Sequence, residues 1–209
     1  MQTFLQTLWR FRGDQGDSMN ARLIRRACRR RTAHWGRLAL PFAVMAGSVL
    51  AADLVFWSGW RINLTESEPL GWYRLRPLDV GEAIHRGAKA ELCPPLWVTP
   101  RAFPFYLSGD CPGGGMPMLK TVVAIPGDHV VVNLRGVWIN GRELPNSGQL
   151  LRSGTYPWLQ LPHQQGSLTL GPRQYWVYGS GATPALAAQS FDSRYWGPIE
   201  IGQIRRIAD

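Results

Sequence analysis

The stretch PMLKTVVAIPGD, residues 117–128, contains one of only two lysines, Lys89 and Lys120, among the chain's 23 basic residues. A chain that takes arginine almost wherever it needs fixed positive charge makes an exception at Lys120, and the exception has chemical content. Arginine keeps its proton in a protein, whereas a lysine desolvated by apolar neighbours can lose its proton and become a base. Two further stretches are chemically loaded. NLTESEPLGWY, residues 63–73, carries Ser67; SFDSRYWGP, residues 190–198, sets Ser190, Asp192, Ser193 and Arg194 among aromatics. A serine hydroxyl activated by a neutral lysine would do nucleophilic acyl chemistry. Taken singly, each stretch also has a plain structural reading: a strand-edge lysine with its head in water, a turn serine ahead of Pro69, and an Asp–Arg surface pair in a loop.

The elements that must position these residues start with an anchor. LALPFAVMAGSVLAADLVFW, residues 38–57, runs twenty residues with a single charge, Asp53, a length that spans a bilayer. Nine arginines against Asp14 and Asp17 precede it, so the tail holds +7 of the chain's net +9 and the remainder is close to neutral. Arginines before the segment and Trp57, Trp60 and Trp72 after it place the tail, 1–37, in the cytoplasm and residues from about 60 onward outside. The sequence therefore divides into a basic tail 1–37, a transmembrane anchor 38–58 and an exported domain 60–209. A cleaved signal peptide is the rival reading, because VLA at 49–51 offers small residues at a cleavable spacing. Met19 opens a conventional short basic run, so residues 1–18 are either an extension or lie before the true start. Ser67 follows the anchor by about ten residues, which at ~3.5 Å per extended residue keeps it within roughly 35 Å of the membrane end.

No aromatic-interleaved basic face follows residue 60, so nucleic acid is not expected as a partner. The four histidines, 34, 85, 129 and 163, are scattered without ligand spacing, and no metal or cofactor is expected. Cys28 falls in the tail, while Cys93 and Cys111 lie in the exported part, where they form either a disulfide or two buried free thiols. The 45% hydrophobic content suffices for a true core. The exported part reads as mainly β, with Asn140-Gly141 a strong two-residue hairpin signal, Lys120 opening a hairpin through Pro126-Gly127-Asp128, and residues 174–180 a buried strand. Residues 85–118 and 145–170, rich in Pro, Gly and Ser, read as long loops.

In this order the three stretches resemble the signal peptidase I family. TESEPLGWY resembles its Ser-x-Pro-x-Gly box, KTVVAIPGD its lysine box, and SFDSRYWG its late Ser-x-Asp-Ser-Arg box, over roughly residues 38–205. Pro69, Gly71 and Tyr73 after the serine, the paired cysteines and the small size most resemble the conjugative-transfer, TraF-type branch. Two features differ: Thr121 follows the lysine where leader peptidases usually have arginine, and GSGATPALAAQ replaces a compact Gly-Asp-Asn-Arg. The resemblance implies an antiparallel β domain behind one transmembrane helix. It also implies a Ser67–Lys120 dyad, an oxyanion site made by the Thr65 hydroxyl and the Ser67 N–H, and Ser190 aiming Lys120, with Asp192 and Arg194 bracing Ser190. The substrate it implies is an exported precursor with an apolar segment, such as a conjugative pilin, cleaved near the outer face of the inner membrane and in some members joined head to tail.

Four other readings compete, one of them a general type I signal peptidase. His129 as base with Asp192 as its orienter would make a Ser-His-Asp triad. A non-enzymatic membrane-anchored subunit of a secretion or conjugation machine would keep the fold without the activity. A self-cleaving repressor-type Ser-Lys protein is disfavoured by the anchor. Asn63-Leu64-Thr65 also matches a glycosylation sequon.

Overall fold

The computed structural model of the chain describes residues 40–208 apart from 80 and 182. The basic tail 1–37, Cys28 and the choice between Met1 and Met19 lie outside the described residues. Two units result, 1–55 and 56–209. The apolar run forms helix α1 (Leu40–Trp57), most of it in the first unit, long and apolar enough to cross a membrane, with every side chain exposed.

The second unit is mainly antiparallel β, as the sequence pattern predicts. Seven strands form one sheet in the order β1-β2-β11-β3-β4-β9-β10: β1 (Trp60–Asn63), β2 (Gly71–Pro77), β3 (Lys89–Leu92), β4 (Met118–Ala124), β9 (Gln174–Tyr178), β10 (Ile199–Glu200) and β11 (Ile204–Ala208). A second sheet runs β7-β6-β5-β8, from β5 (His129–Asn133), β6 (Gly136–Ile139), β7 (Arg142–Glu143) and β8 (Gly166–Thr169). The Asn-Gly signal holds: Ile139 pairs with Arg142, and Asn140 and Gly141 take φ of 52° and 80°. Positive φ at both central residues is the requirement of a turn that follows strand twist, and Asn-Gly meets it at least cost.

The Pro-Gly-Asp turn differs from expectation. β4 pairs with β3 and β9, whereas β5 pairs with β6 and β8, so Lys120 opens a strand that leaves one sheet for the other and does not begin a hairpin. Period-2 alternation reports that a segment is a strand and is silent about its partner. Asp128 ties the junction, accepting from Ile125 N at 2.8 Å, Asn140 Nδ2 at 2.8 Å and the Arg86 guanidinium. The two expected long loops are also interrupted, by β3 within 85–118 and β8 within 145–170. KAEL is four residues between a glycine turn and Cys-Pro-Pro, too short for periodicity to register.

A bulge between Val122 and Ala124 divides the packing. Val122 joins a core of Ala90, Leu92, Val98, Phe103, Phe191 and Tyr195, whereas Ala124 joins Val130, Val132, Val137 and Trp176. An extra residue in one strand reverses which face the following side chains use. Cys93 and Cys111 form a disulfide, with Cα atoms 5.5 Å apart. It closes the segment that delivers Phe103 against Phe191, ring centroids 4.8 Å apart, one residue from Ser190. Replacing both cysteines by serine is expected to lower stability by about 3 kcal/mol, the chain-entropy value for a loop of this order. Thermal unfolding of parent and variant, with and without reductant, checks it; reductant should lower the melting temperature of the parent alone.

Candidate active site

β4 lies between β3 and β9, and its alternation turns Lys120 to the same buried face as Val122. Lys120 is 4% exposed, which removes the solvated strand-edge alternative. Its Nζ donates to Ser190 Oγ at 2.8 Å. Burial pushes the amine down from 10.5 to about 8; the charges of Asp192 and Glu68 oppose that shift and Arg194 reinforces it.

Ser67 sits half-buried in the turn joining β1 to β2. Asn63, the last residue of β1, organises this turn. Its Nδ2 donates to the carbonyls of Thr65, Glu68 and Pro69 at 2.9, 3.0 and 3.1 Å, and its Oδ1 accepts from Thr65 N at 3.1 Å and Thr65 Oγ1 at 2.7 Å. A buried side chain so committed to the backbone of its own turn is a structural organiser, and the sequon reading of Asn63 gains nothing from it. Thr65 Oγ1 stands 3.4 Å from Ser67 Oγ.

The Ser67 turn and the Ser190 segment converge at Gly179. A Cβ built there would lie 1.8 Å from Ser190 Oγ and 3.0 Å from the Ser67 carbonyl oxygen, so only glycine lets the two segments approach. Two residues further on, Gly181 donates its N–H to the same Ser67 carbonyl at 2.9 Å. Lys120, Ser190 and the Ser67 backbone thus meet around one residue.

Ser190 ends helix α2 (Pro184–Gln189), and Asp192 caps helix α3 (Ser193–Trp196) by accepting from Arg194 N. A loop with a surface ion pair was one expectation here; the structure instead forms a helical turn with Asp192 and Arg194 both fully buried. Arg194 Nε donates to Asp192 Oδ1 at 2.8 Å and Nη2 to Asp192 Oδ2 at 2.9 Å. The same guanidinium donates to the carbonyls of Ser190, Ala187 and Gly148, and Asp192 also accepts from Gly179 N at 2.9 Å. The pair thereby braces both sides of the Lys120–Ser190 contact.

His129 and Asp192 are not hydrogen-bonded to each other. His129 is exposed on β5 with its ring 3.4 Å from Thr169 Oγ1, and Asp192 is committed to Arg194 and Gly179. Sequence reasoning missed Glu68, which follows Ser67 and is fully buried. It accepts from Thr121 Oγ1 at 2.9 Å and Ser180 Oγ at 3.0 Å, and it pairs with Lys89. The departure noted at Thr121 thus has a structural use. The only available signal was that the second of two lysines had been left without a role.

The family model described as signal peptidase, peptidase S26, matches residues 33–208. A probable conjugal transfer protein TraF of Sinorhizobium fredii (strain NBRC 101917 / NGR234) is 35% identical over 195 residues, covering 91% of this chain and 96% of that protein. A plasmid transfer protein TraF of Escherichia coli is 30% identical over 172 residues, covering 80% and 92%. A crystal structure of signal peptidase I from Enterococcus faecalis V583 aligns at 20% identity with a TM-score of 0.32, over 59% of this chain and 94% of that one, too distant to add weight. With its three boxes in order, a family match over most of its length and relatives at this identity, the chain belongs to the signal peptidase family, peptidase S26.

Proposed function

We propose that the protein is a membrane-anchored serine endopeptidase in which Ser67 is the nucleophile and Lys120 the general base. The observation that carries this reading is a buried lysine amine, lowered toward neutrality, held by Ser190 at the residue where the Ser67 turn docks. Ser67 Oγ attacks the scissile carbonyl carbon while Lys120 Nζ takes its proton. The tetrahedral oxyanion takes hydrogen bonds from the Ser67 N–H and from the Thr65 hydroxyl, which turns its one proton away from Asn63 Oδ1 to make it. Lys120 then returns the proton to the leaving amine, giving the acyl-enzyme. Water, activated by the neutral lysine, completes hydrolysis; an amine in place of water would join the peptide head to tail. Ser190 aims the lysine, and Asp192 with Arg194 holds Ser190, as a third group orients the base in other serine hydrolases.

The substrate we infer is an exported precursor with an apolar segment followed by small residues, of the pilin type that conjugation requires. The relatives named for conjugal and plasmid transfer support this class. The location that fits is the bacterial inner membrane, with the tail cytoplasmic and the peptidase domain periplasmic. Helix α1 supports a bilayer anchor, exposed Trp60, Ile62 and Trp72 support a bilayer neighbour, and the disulfide supports an oxidising compartment. Mass spectrometry of exported subunits from cells with and without Ser67→Ala tests the reading. A precursor that keeps its apolar segment should accumulate in the variant; unchanged subunit masses would overturn the peptidase assignment for this chain.

A further inference from the structure

Both lysines of the chain end in this site. In the β3–β4 register Lys89 lies opposite Thr121 and Ala90 opposite Lys120, so the two lysines occupy adjacent strands one residue out of step. Lys89 Nζ pairs with Glu68 and donates to Thr121 Oγ1 at 3.1 Å. Two buried carboxylates, Glu68 and Asp192, and one further cation, Arg194, act through their charges on the Lys120 amine. Each carboxylate has its own counter-ion: Arg194 holds Asp192 through two nitrogens, and Lys89 holds Glu68. Lys120 accordingly gives its proton to neither and donates to the neutral Ser190 hydroxyl.

This arrangement answers a difficulty in the proposed chemistry. An uncompensated carboxylate close to an amine in a low-dielectric site favours the charged amine and would keep it protonated. Glu68 cannot lie elsewhere, because it follows Ser67 and its acceptors stitch the Ser67 turn to β4 through Thr121 and to the Gly179–Gly181 segment through Ser180. Its charge must therefore be cancelled locally. We propose that Lys89 is a positioning residue for the reaction: as the dedicated counter-ion of Glu68, it frees Lys120 from that role and leaves it to act as base. The proposal rests on the reading of Lys120 as the general base, and it assigns a function to the lysine that no reacting group touches.

The composition of the chain makes the test direct, since two lysines give two side-chain signals. The full chain, labelled with 13C at lysine Cε and held in detergent micelles, is titrated by NMR from about pH 6 to about pH 11, the range over which lysines titrate. In Lys89→Met the single remaining signal is Lys120, and its midpoint is expected to rise by about one pH unit or more, the effect of one opposite charge left unpaired nearby. In Lys89→Met with Glu68→Gln the midpoint should return to the parental value or below. A Lys120 midpoint that stays put or falls in Lys89→Met overturns the proposal. Should Lys89→Met not fold, Glu68→Gln alone decides: the Lys120 midpoint should fall by about one unit, and an unmoved midpoint again overturns it. The pH profile of precursor processing should move with the NMR midpoint. An unmoved midpoint beside precursor accumulation in Ser67→Ala removes the charge partition alone, whereas no accumulation removes the dyad reading itself.

Discussion

Lys120→Met is expected to abolish precursor processing and yet to melt no lower than the parent at pH 7. Burial lowers the folded-state pKa to about 8 from 10.5. At about 1.4 kcal/mol per unit this opposes folding by on the order of 3 kcal/mol wherever both states are protonated. Methionine has similar length and no charge, so it removes that cost and forfeits a hydrogen bond to Ser190 worth about 1 kcal/mol. The sign follows from proton counting. Between about 8 and 10.5 the unfolded chain binds more protons than the folded one, so parental stability rises with pH through that window; the cost is fully present below it and absent above it. The Met variant should lack this rise. Lys120→Arg should be inactive as well and destabilised at every pH, since its larger guanidinium stays charged in the same packed position. Parental kcat/KM should climb about tenfold per pH unit below about 8 and level off above it. Processing assays and thermal melts from pH 6 to 10 check these outcomes, and an active Lys120→Arg enzyme would falsify the general-base role.

Arg194→Met should have the largest effect on stability of any single change that leaves the proposed dyad intact. Arg194 and Asp192 are both at 0% exposure, and removal of the cation strands a carboxylate without water. Breaking one partner of such a pair costs about 3–5 kcal/mol, a large share of the roughly 5–15 kcal/mol that holds a domain together. In a domain of this size the melting temperature should fall by about 6–20 °C. The carbonyls of Ser190, Ala187 and Gly148 lose their donor in the same step, so Ser190 is no longer held against Lys120. Activity should therefore fall at temperatures where the variant is still folded. Arg194→Lys keeps the charge but cannot reach five acceptors from one flat fork, and it should fall between parent and Met. Equal melting temperatures for parent and Arg194→Met would show that the pair braces nothing.

How much of this was legible beforehand depends on how local each signal is. Asn140-Gly141 announced its turn because two adjacent residues must both take positive φ. Ser67, Lys120 and Ser190 stood out as candidates because only a few residue types can serve as nucleophile, base and orienter, and here they come in the order of the family's boxes. The disulfide was readable from two cysteines in a segment rich in proline and glycine. The sheet partners of β4 were not, since alternation is the same whether a strand pairs with its neighbour or with one over fifty residues away. Lys89 and Glu68 passed unnoticed because a lysine in a four-residue strand and a glutamate in a turn look like ordinary surface residues.

Chain composition and local pattern by themselves determined the long apolar helix, the β character of the second unit and which residues stand as candidates for chemistry. Each of these follows from residue type and short-range spacing. Tertiary structure alone decided that Lys120 is buried against Ser190, that Asp192 and Arg194 neutralise each other out of water, and that Glu68 takes the chain's other lysine as its partner. The physical reason is that desolvation and ion pairing are properties of positions. Those positions were created by strands β3, β4 and β9 and the Ser67 turn, drawn from distant parts of the chain.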